Sequence, residues 1–360
     1  MIDAGMTGDT YERVLALDVG AGTTDVLAWD RSARGENQTH CVIPSATRVA
    51  AAEIAAATAA GRAVVFSGPL MGGGTISVAL ERHVAQGLPF FAEPSAAKTF
   101  ADDLDRVAGM GVTIVSSEEA ARLRPRLAAV RSGDVRLDDL LAALRLLGES
   151  RPFDGVAVAV QDHGEAPLGV SDRVFRFDKM TEALERSHRL ADLFYAADQV
   201  PSYFTRLTAV AAEVGKEYPV VVGDTGPSAL WGASLAVDGR RCLAINFGNG
   251  HTLMSLVEHR ELDGLFEHHT SQVTGAMMAD YVRRFAAGSL PGAEVLAGGG
   301  HGVVPVSGSF DPLSVEVVVT GPNRGRFGDL GLRAIEAGLH GDMMLTGCWG
   351  LLQGFFARAR

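Results

Sequence analysis

Short apolar runs bounded by glycine, aspartate, asparagine or proline recur along the chain. They include Val14-Leu15-Ala16-Leu17 and residues 26–29, 62–67, 112–115, 156–160, 219–222, 243–245, 253–257 and 315–320. Runs of this length between turn residues predict buried strands. Residues 39–43 and 261–266 predict two more, each following a hairpin. Longer stretches of helical character lie between them: 46–60, one ending at His83, 94–109, 137–147, 178–196, 205–215, 272–287 and 345–357. The first of these is rich in alanine, the best helix former. Pro227 suits the first turn of a helix that starts there, and the glycine-rich stretch 298–302 predicts a loop. Strands alternating with helices predict an α/β fold.

Composition narrows the setting. A chain of 360 residues is long enough for two domains. With 47% hydrophobic and 21% charged residues it is expected to fold rather than stay disordered. A net charge of −11 and the lack of a long Lys/Arg cluster argue against nucleic acid as a main partner. No apolar run reaches membrane-spanning length, and the N-terminus lacks a signal-peptide pattern. Cys41, Cys242 and Cys348 are scattered and odd in number, which fits a reducing cytoplasm better than a disulfide framework.

Two turns carry the chemistry. The first apolar strand enters Asp18-Val19-Gly20-Ala21-Gly22-Thr23-Thr24-Asp25, and a much later one enters Asn246-Phe247-Gly248-Asn249-Gly250-His251-Thr252. Aligned, they read Asp-x-Gly-x-Gly-x-Thr and Asn-x-Gly-x-Gly-x-Thr, each leading into another strand. Glycine tolerates the positive φ that so tight a reversal favours. Missing side chains let phosphate oxygens approach backbone amides, and the threonine hydroxyls can add donors. A carboxylate at the strand end, Asp18, can hold magnesium through waters. The repetition predicts two similar α/β halves facing each other across a nucleotide.

These motifs, in this order, resemble the superfamily of actin, hexokinase and heat-shock chaperone ATPases. Gly226-Pro227-Ser228-Ala229-Leu230-Trp231-Gly232-Ala233 is similar to its connecting helix, and Val317-Val318-Val319-Thr320-Gly321-Pro322-Asn323 to its adenosine motif. Thr346-Gly347-Cys348-Trp349-Gly350 is similar to its closing helix. The resemblance implies two ribonuclease-H-like, actin-like ATPase domains around a central nucleotide cleft. The first would span 1–238 with an inserted α/β region, and the second 239–360 with the closing helix. It implies ATP and Mg2+ as cofactors. Asp18 and Asn246 would stand at the metal, and Gly20, Gly22, Thr23, Thr24, Gly248, Asn249, Gly250, His251 and Thr252 at the phosphates. Gly321 and Asn323 would stand at the adenosine.

A closer resemblance rests on Gly72-Gly73-Gly74, Ala159-Val160-Gln161-Asp162-His163-Gly164, Gly223-Asp224-Thr225-Gly226-Pro227 and Gly248-Asn249-Gly250-His251-Thr252. It points to a branch of that superfamily whose members are labelled pyruvate formate-lyase activating enzymes. Glycyl-radical activases need three clustered thiolates for an iron–sulfur cluster, and this chain has no such motif. Two departures from the superfamily pattern matter. Asn246 replaces the usual aspartate, so it brings no charge and cannot act as a base. Pro322 replaces a glycine and removes one amide donor from the adenosine turn.

Candidate chemistry sits at strand C-terminal ends, where open α/β sheets place ligands. Asp224 either orients or deprotonates a nucleophile, or caps the following helix. Gln161 can position water, and Asp162 and His163 can pair or join a loop network. Catalytic roles are therefore expected of Asp224, Asp18 and Gln161. Gly72 to Gly74 either cradle an anion or form a flexible turn, with no Walker-type lysine following. His251, His259, His268 and His269 lack the spacing of a helical zinc pair. Asp102, Asp103 and Asp105 read as a solvated helix face. Three functions fit: a slow ATPase whose domain closure activates or maintains a client enzyme, a small-molecule kinase, or a nucleotide-binding switch. Asn246 favours slow turnover, and the first is the reading adopted.

Overall fold

The computed structural model describes residues 11–167, 169–327 and 330–359. The first ten residues, assigned above to the first domain and to an N-terminus without a signal pattern, lie outside the described residues.

Three sheets organise the chain. The first contains β1 (Arg13–Val19), β2 (Thr23–Asp30) and β3 (Thr39–Pro44). An inserted sheet follows, with β4 (Val64–Ser67), β5 (Phe90–Ala92), β6 (Val112–Ile114) and β7 (Ala128–Arg131). The chain then returns with β8 (Gly155–Val160), β9 (Phe194–Ala196) and β10 (Val220–Gly223), giving the first sheet the order β3-β2-β1-β8-β10-β9. The last sheet holds β11 (Cys242–Phe247), β12 (His251–Glu258), β13 (Glu261–His269), β14 (Gly302–Val304), β15 (Glu316–Thr320) and β16 (Ala334–Glu336). Its order is β14-β13-β12-β11-β15-β16.

Both six-stranded sheets share one plan. A meander of three antiparallel strands runs β1-β2-β3 and β11-β12-β13. Two strands then join parallel on the other side of the first, β8 and β10 in one sheet and β15 and β16 in the other. This is the ribonuclease-H-like order, built twice, and it establishes the two-domain actin-like architecture. The central strands β1, β8 and β10 are almost wholly buried on both faces, which explains their continuous apolar sequences.

Two helices fill the space between the sheets. The connecting helix Thr225–Ser234 and the closing helix Thr346–Arg358 contribute Leu230, Trp231, Trp349, Leu351, Leu352 and Phe355 to one apolar cluster. That cluster also takes Val14, Ala157 and Val221 from the first sheet and Ala244, Val257 and Val318 from the last. Each buried Val, Leu or Phe side chain here contributes about 1.5–3 kcal/mol, and each alanine methyl less. The helices cross backbone to backbone: a methyl group on Gly232 would strike the Thr346 carbonyl, and one on Gly350 the Ser228 carbonyl.

Several elements differ from the sequence reading. The stretch 94–109 is two short helices, Pro94–Ala97 and Leu104–Gly109, because Asp103 accepts from the Asp105 amide at 2.9 Å and starts the second. The helix expected over 178–196 is Asp172–Arg186, and the chain then passes into β9. The connecting helix begins at Thr225 rather than Pro227, with Asp224 as its cap. The loop over 298–302 already opens β14 at Gly302.

Candidate functional site

The two turns meet at one cleft. In the first, the Gly20 amide donates to the Thr23 carbonyl at 2.8 Å, and in the second Gly248 donates to His251 at 3.0 Å. Asp18 stands opposite Asp25 in the first hairpin, and Asn246 opposite Leu253 in the second. The turns approach so closely that a methyl group on Gly22 would lie 3.2 Å from Asn249 Nδ2. None of the four turn glycines has a left-handed φ, contrary to the reason expected from sequence. Close packing accounts for three of them instead: a methyl group on Gly248 would lie 2.8 Å from the His251 carbonyl, one on Gly20 3.3 Å from the Thr23 carbonyl and one on Gly22 3.2 Å from Asn249, whereas one on Gly250 would meet nothing within 4 Å.

A cleft of about 740 Å³ is lined by Asp18, Gly20, Thr23, Asn246, Gly248, Asn249, Gly250, His251 and Gly321. Gln161 and Asp224 also face it. The N-terminal ends of three helices reach the same space: Gly74–Ala85, the connecting helix and the closing helix. Such ends carry free amides and partial positive charge, which suit anions. The cleft continues under the inserted sheet to Gly72-Gly73-Gly74, Lys98 and Asp102.

Other expected residues stand behind the lining. Thr252 is fully buried, and its hydroxyl meets that of Thr270 at 3.0 Å. Asn323 donates to the Gly248 carbonyl at 3.0 Å, so it braces the second turn. Gly22 and Thr24 lie outside the lining, with Thr24 buried. Gly72 packs against Arg206, whose guanidinium binds Asp134 at 2.6 and 2.7 Å.

Asp18 and Asp25 are the acidic floor. Burial, with Asp25 and Asp224 nearby, raises Asp18 well above the usual carboxylate range. Burial likewise raises Asp25 to about 7. Crowded carboxylates of this kind are relieved by a hard cation with oxygen ligands, so the donor set fits Mg2+. Asn246 lines the cleft and offers a neutral oxygen. The closing helix touches this floor, since a methyl group on Gly347 would collide with the Asp18 carboxylate.

Asp224 has a different environment. It accepts from Arg176 Nη1 at 2.7 Å and Nη2 at 3.1 Å, and from the Gly226 amide at 2.9 Å. Burial alone would raise its pKa, but Arg176 outweighs burial and holds it below the usual range. Arg176 is 1% exposed and also donates to Glu267, 0% exposed, at 3.3 and 3.4 Å. A single guanidinium thus ties the end of the first sheet to β13 of the last. Gln161 joins this network through Nε2 to Glu267 at 3.2 Å. Asp162 accepts from the Gly164 and Leu207 amides, both at 2.8 Å, which is the loop network rather than a pair with His163. His163 instead lies among His251, His269 and His301. Sequence reasoning missed Arg176 and His301. Arg176 lies one helical turn after Asp172 with no motif around it, and His301 was hidden in a glycine run.

A family profile described as "Putative pyruvate format-lyase activating enzyme (DUF1786)" matches residues 71–326. The chain belongs to that family. The matched span contains the second turn and the adenosine strand, while the first turn and closing helix lie beyond its ends. The family's label is not matched by a thiolate cluster here: Cys41, Cys242 and Cys348 are free and, among the described residues, join no group of metal-ligating side chains. No curated protein matches the chain in sequence. Among solved structures it is similar to ethanolamine utilization protein EutJ from Carboxydothermus hydrogenoformans, at 10% identity and a TM-score of 0.35, covering 94% of this chain and 88% of that one. It is also similar to a ROK family glucokinase from Streptomyces griseus, solved with glucose and AMPPNP, at 13% identity and a TM-score of 0.35, covering 94% and 97%. A ROK hexokinase from Thermus thermophilus gives 11% and 0.32, covering 95% and 97%. The strand order carries the fold assignment. Among the described residues no helix is long and apolar enough to cross a membrane.

Proposed function

We propose that this member of the family binds Mg-ATP in the cleft, with its two units divided near residue 238, and hydrolyses it slowly. The observation that carries the proposal is the meeting of two equivalent turns, one from each ribonuclease-H-like sheet, with three helix N-termini around them. In this reading Asp18 holds magnesium through waters, Asn246 supplies a neutral second contact, and the amides of both turns receive the phosphates. Magnesium supplies charge neutralisation at the phosphates. Gly321, which packs against Phe247 and Asn246 and lines the cleft, is assigned to the base side in this reading, and Asn323 keeps the second turn in place.

Slow turnover follows from the surroundings of Asp224. Its salt bridge and lowered pKa leave it able to orient a nucleophile but ill suited to accept a proton. Gln161, half committed to Glu267, is the residue left to position water. Hydrolysis then serves domain closure over the crossing of the connecting and closing helices, and closure acts on a client enzyme. A cytoplasmic setting belongs to the same proposal, supported by three separate free cysteines.

A second reading has its own support. The cleft extends beneath the inserted sheet, where Gly72 to Gly74, Lys98 and Asp102 leave room for a small phosphoryl acceptor. Calorimetric titration with Mg-ATP, followed by phosphate-release assays without added substrate, separates the readings. Binding with slow release supports the ATPase. Binding without release favours the kinase or a silent switch, and no binding at millimolar nucleotide overturns both.

A further inference from the structure

Four imidazoles gather at the mouth of the second turn, from four separate segments. His163 follows β8, His251 opens β12, His269 ends β13 directly opposite His251, and His301 precedes β14. Ring centroids of His251 and His301 are 4.8 Å apart, those of His269 and His301 4.9 Å, and those of His163 and His301 5.8 Å. One nitrogen from each of His163, His251 and His301 lies within 4.8 Å of the other two. His301 is 2% exposed, and neither of its ring nitrogens has a hydrogen-bond partner. The Nε2 of His251 is also buried without one. Buried polar atoms are nearly always paired, so unpartnered nitrogens converging on one point call for an absent ligand.

We propose that His163, His251 and His301 bind a divalent transition-metal ion of the zinc class, with an open position toward the cleft. Three nitrogens at ~2.1 Å from one zinc stand about 3.4 Å apart, so the ion needs only a modest inward adjustment of the rings. Imidazole donors favour zinc, cobalt, nickel, copper or iron over magnesium. The site therefore selects a different metal from the carboxylates at Asp18. Three histidines with a vacant fourth position is the donor set of catalytic rather than structural zinc. His163 and His251 both line the cleft, so the vacant position takes a water or a phosphate oxygen beside the second turn.

The fold aims these groups deliberately. Gly299 adopts φ +90°, and a methyl group on Gly300 would lie 2.6 Å from atoms of His268 and Val295. The glycine run thus lets the backbone press inward and delivers His301 to the cluster. The His301 amide is fixed by the Glu267 carbonyl at 2.9 Å.

The test uses the full chain without a histidine tag, stripped with chelator and titrated with Zn2+ and Co2+. One equivalent should bind, with visible cobalt bands of four- or five-coordinate intensity. His163→Asn and His301→Asn should each weaken binding at least tenfold, the cost that even a secondary partner carries. His259→Asn, at an exposed histidine far from the cluster, should leave it unchanged. X-ray absorption of the wild-type zinc form should show about three imidazole ligands, a readout that does not depend on variants folding. Absent stoichiometric binding, full affinity in both cluster variants, equal loss in His259→Asn, or fewer imidazoles at the zinc would each overturn the proposal. None of these outcomes depends on nucleotide binding.

Discussion

In the first turn Gly20 closes on Thr23 between Asp18 and Asp25, and in the second Gly248 closes on His251 between Asn246 and Leu253. The backbones are equivalent, yet the side chains are electrostatic opposites. The first turn has two carboxylates whose pKa values are raised by burial. The second has no carboxylate at either position and an imidazole where the first has Thr23. Burial pushes that imidazole down to about 4, against the opposing pull of Glu267. One half of a duplicated fold thus carries crowded carboxylates at its turn and the other a neutral imidazole. A repeated turn preserves geometry, while the residue beside it decides what is bound.

The largest effect should come from breaking what joins the halves. Arg176→Met leaves Asp224 and Glu267 buried without their partner, and losing one member of such a network costs about 3–5 kcal/mol. Chemical denaturation should register that loss, and adding Glu267→Gln should recover part of it. A loss below about 1 kcal/mol would mean that the halves are held by the helix crossing alone.

A smaller effect separates the turns by pH. The folded pKa of Asp25, about 7, lies above its unfolded value of 3.8, so the native chain keeps a proton that the unfolded chain releases. Its contribution is intact below about pH 4 and is lost as pH rises toward 7. Asp25→Asn should therefore be more stable than wild type at pH 8 by about 2–4 kcal/mol, with little difference at pH 4. Magnesium should narrow the gap at pH 8 by stabilising the wild-type carboxylate. Parallel stability curves for the two proteins would show that the first turn is not strained by its acids.

How much of this was legible in the sequence depends on how local each feature is. The two turns and their flanking strands were readable because a handful of consecutive residues specifies each. Strands β5, β9, β14 and β16, three residues each, were not, since so short a run carries no period; β6 is equally short and was readable only from the apolar run 112–115 between turn residues. Asp224 was visible as a strand-end carboxylate. Its salt bridge was not, because Arg176 reaches it only through tertiary packing. His251 was noticed beside His268 and His269, whereas the structure joins it to His163 and His301 from distant segments. His268 has a different fate, with its ring near Tyr281 and Phe266.

The subtlest expected effect comes from exchanging the turn anchors. Asp18→Asn gives the first turn the neutral group of the second, and magnesium-dependent ATP affinity should fall about tenfold, or ~1.4 kcal/mol. Asn246→Asp makes the reciprocal change, and its effect should be smaller. A carboxylate there would stand against Gly321, where the present oxygen would lie 2.7 Å from an added methyl group. Its desolvation offsets much of what a second charge contributes at the metal. Phosphate release should rise by only a few-fold, and more at pH 8 than at pH 6, where part of the new acid stays protonated. An unchanged rate at both pH values would mean that the locked Asp224, rather than the missing carboxylate, limits turnover. The double exchange tests where the charge is needed for binding: if charge at either turn suffices, it restores magnesium-dependent binding, and if the floor at Asp25 and Gly347 is required, it does not.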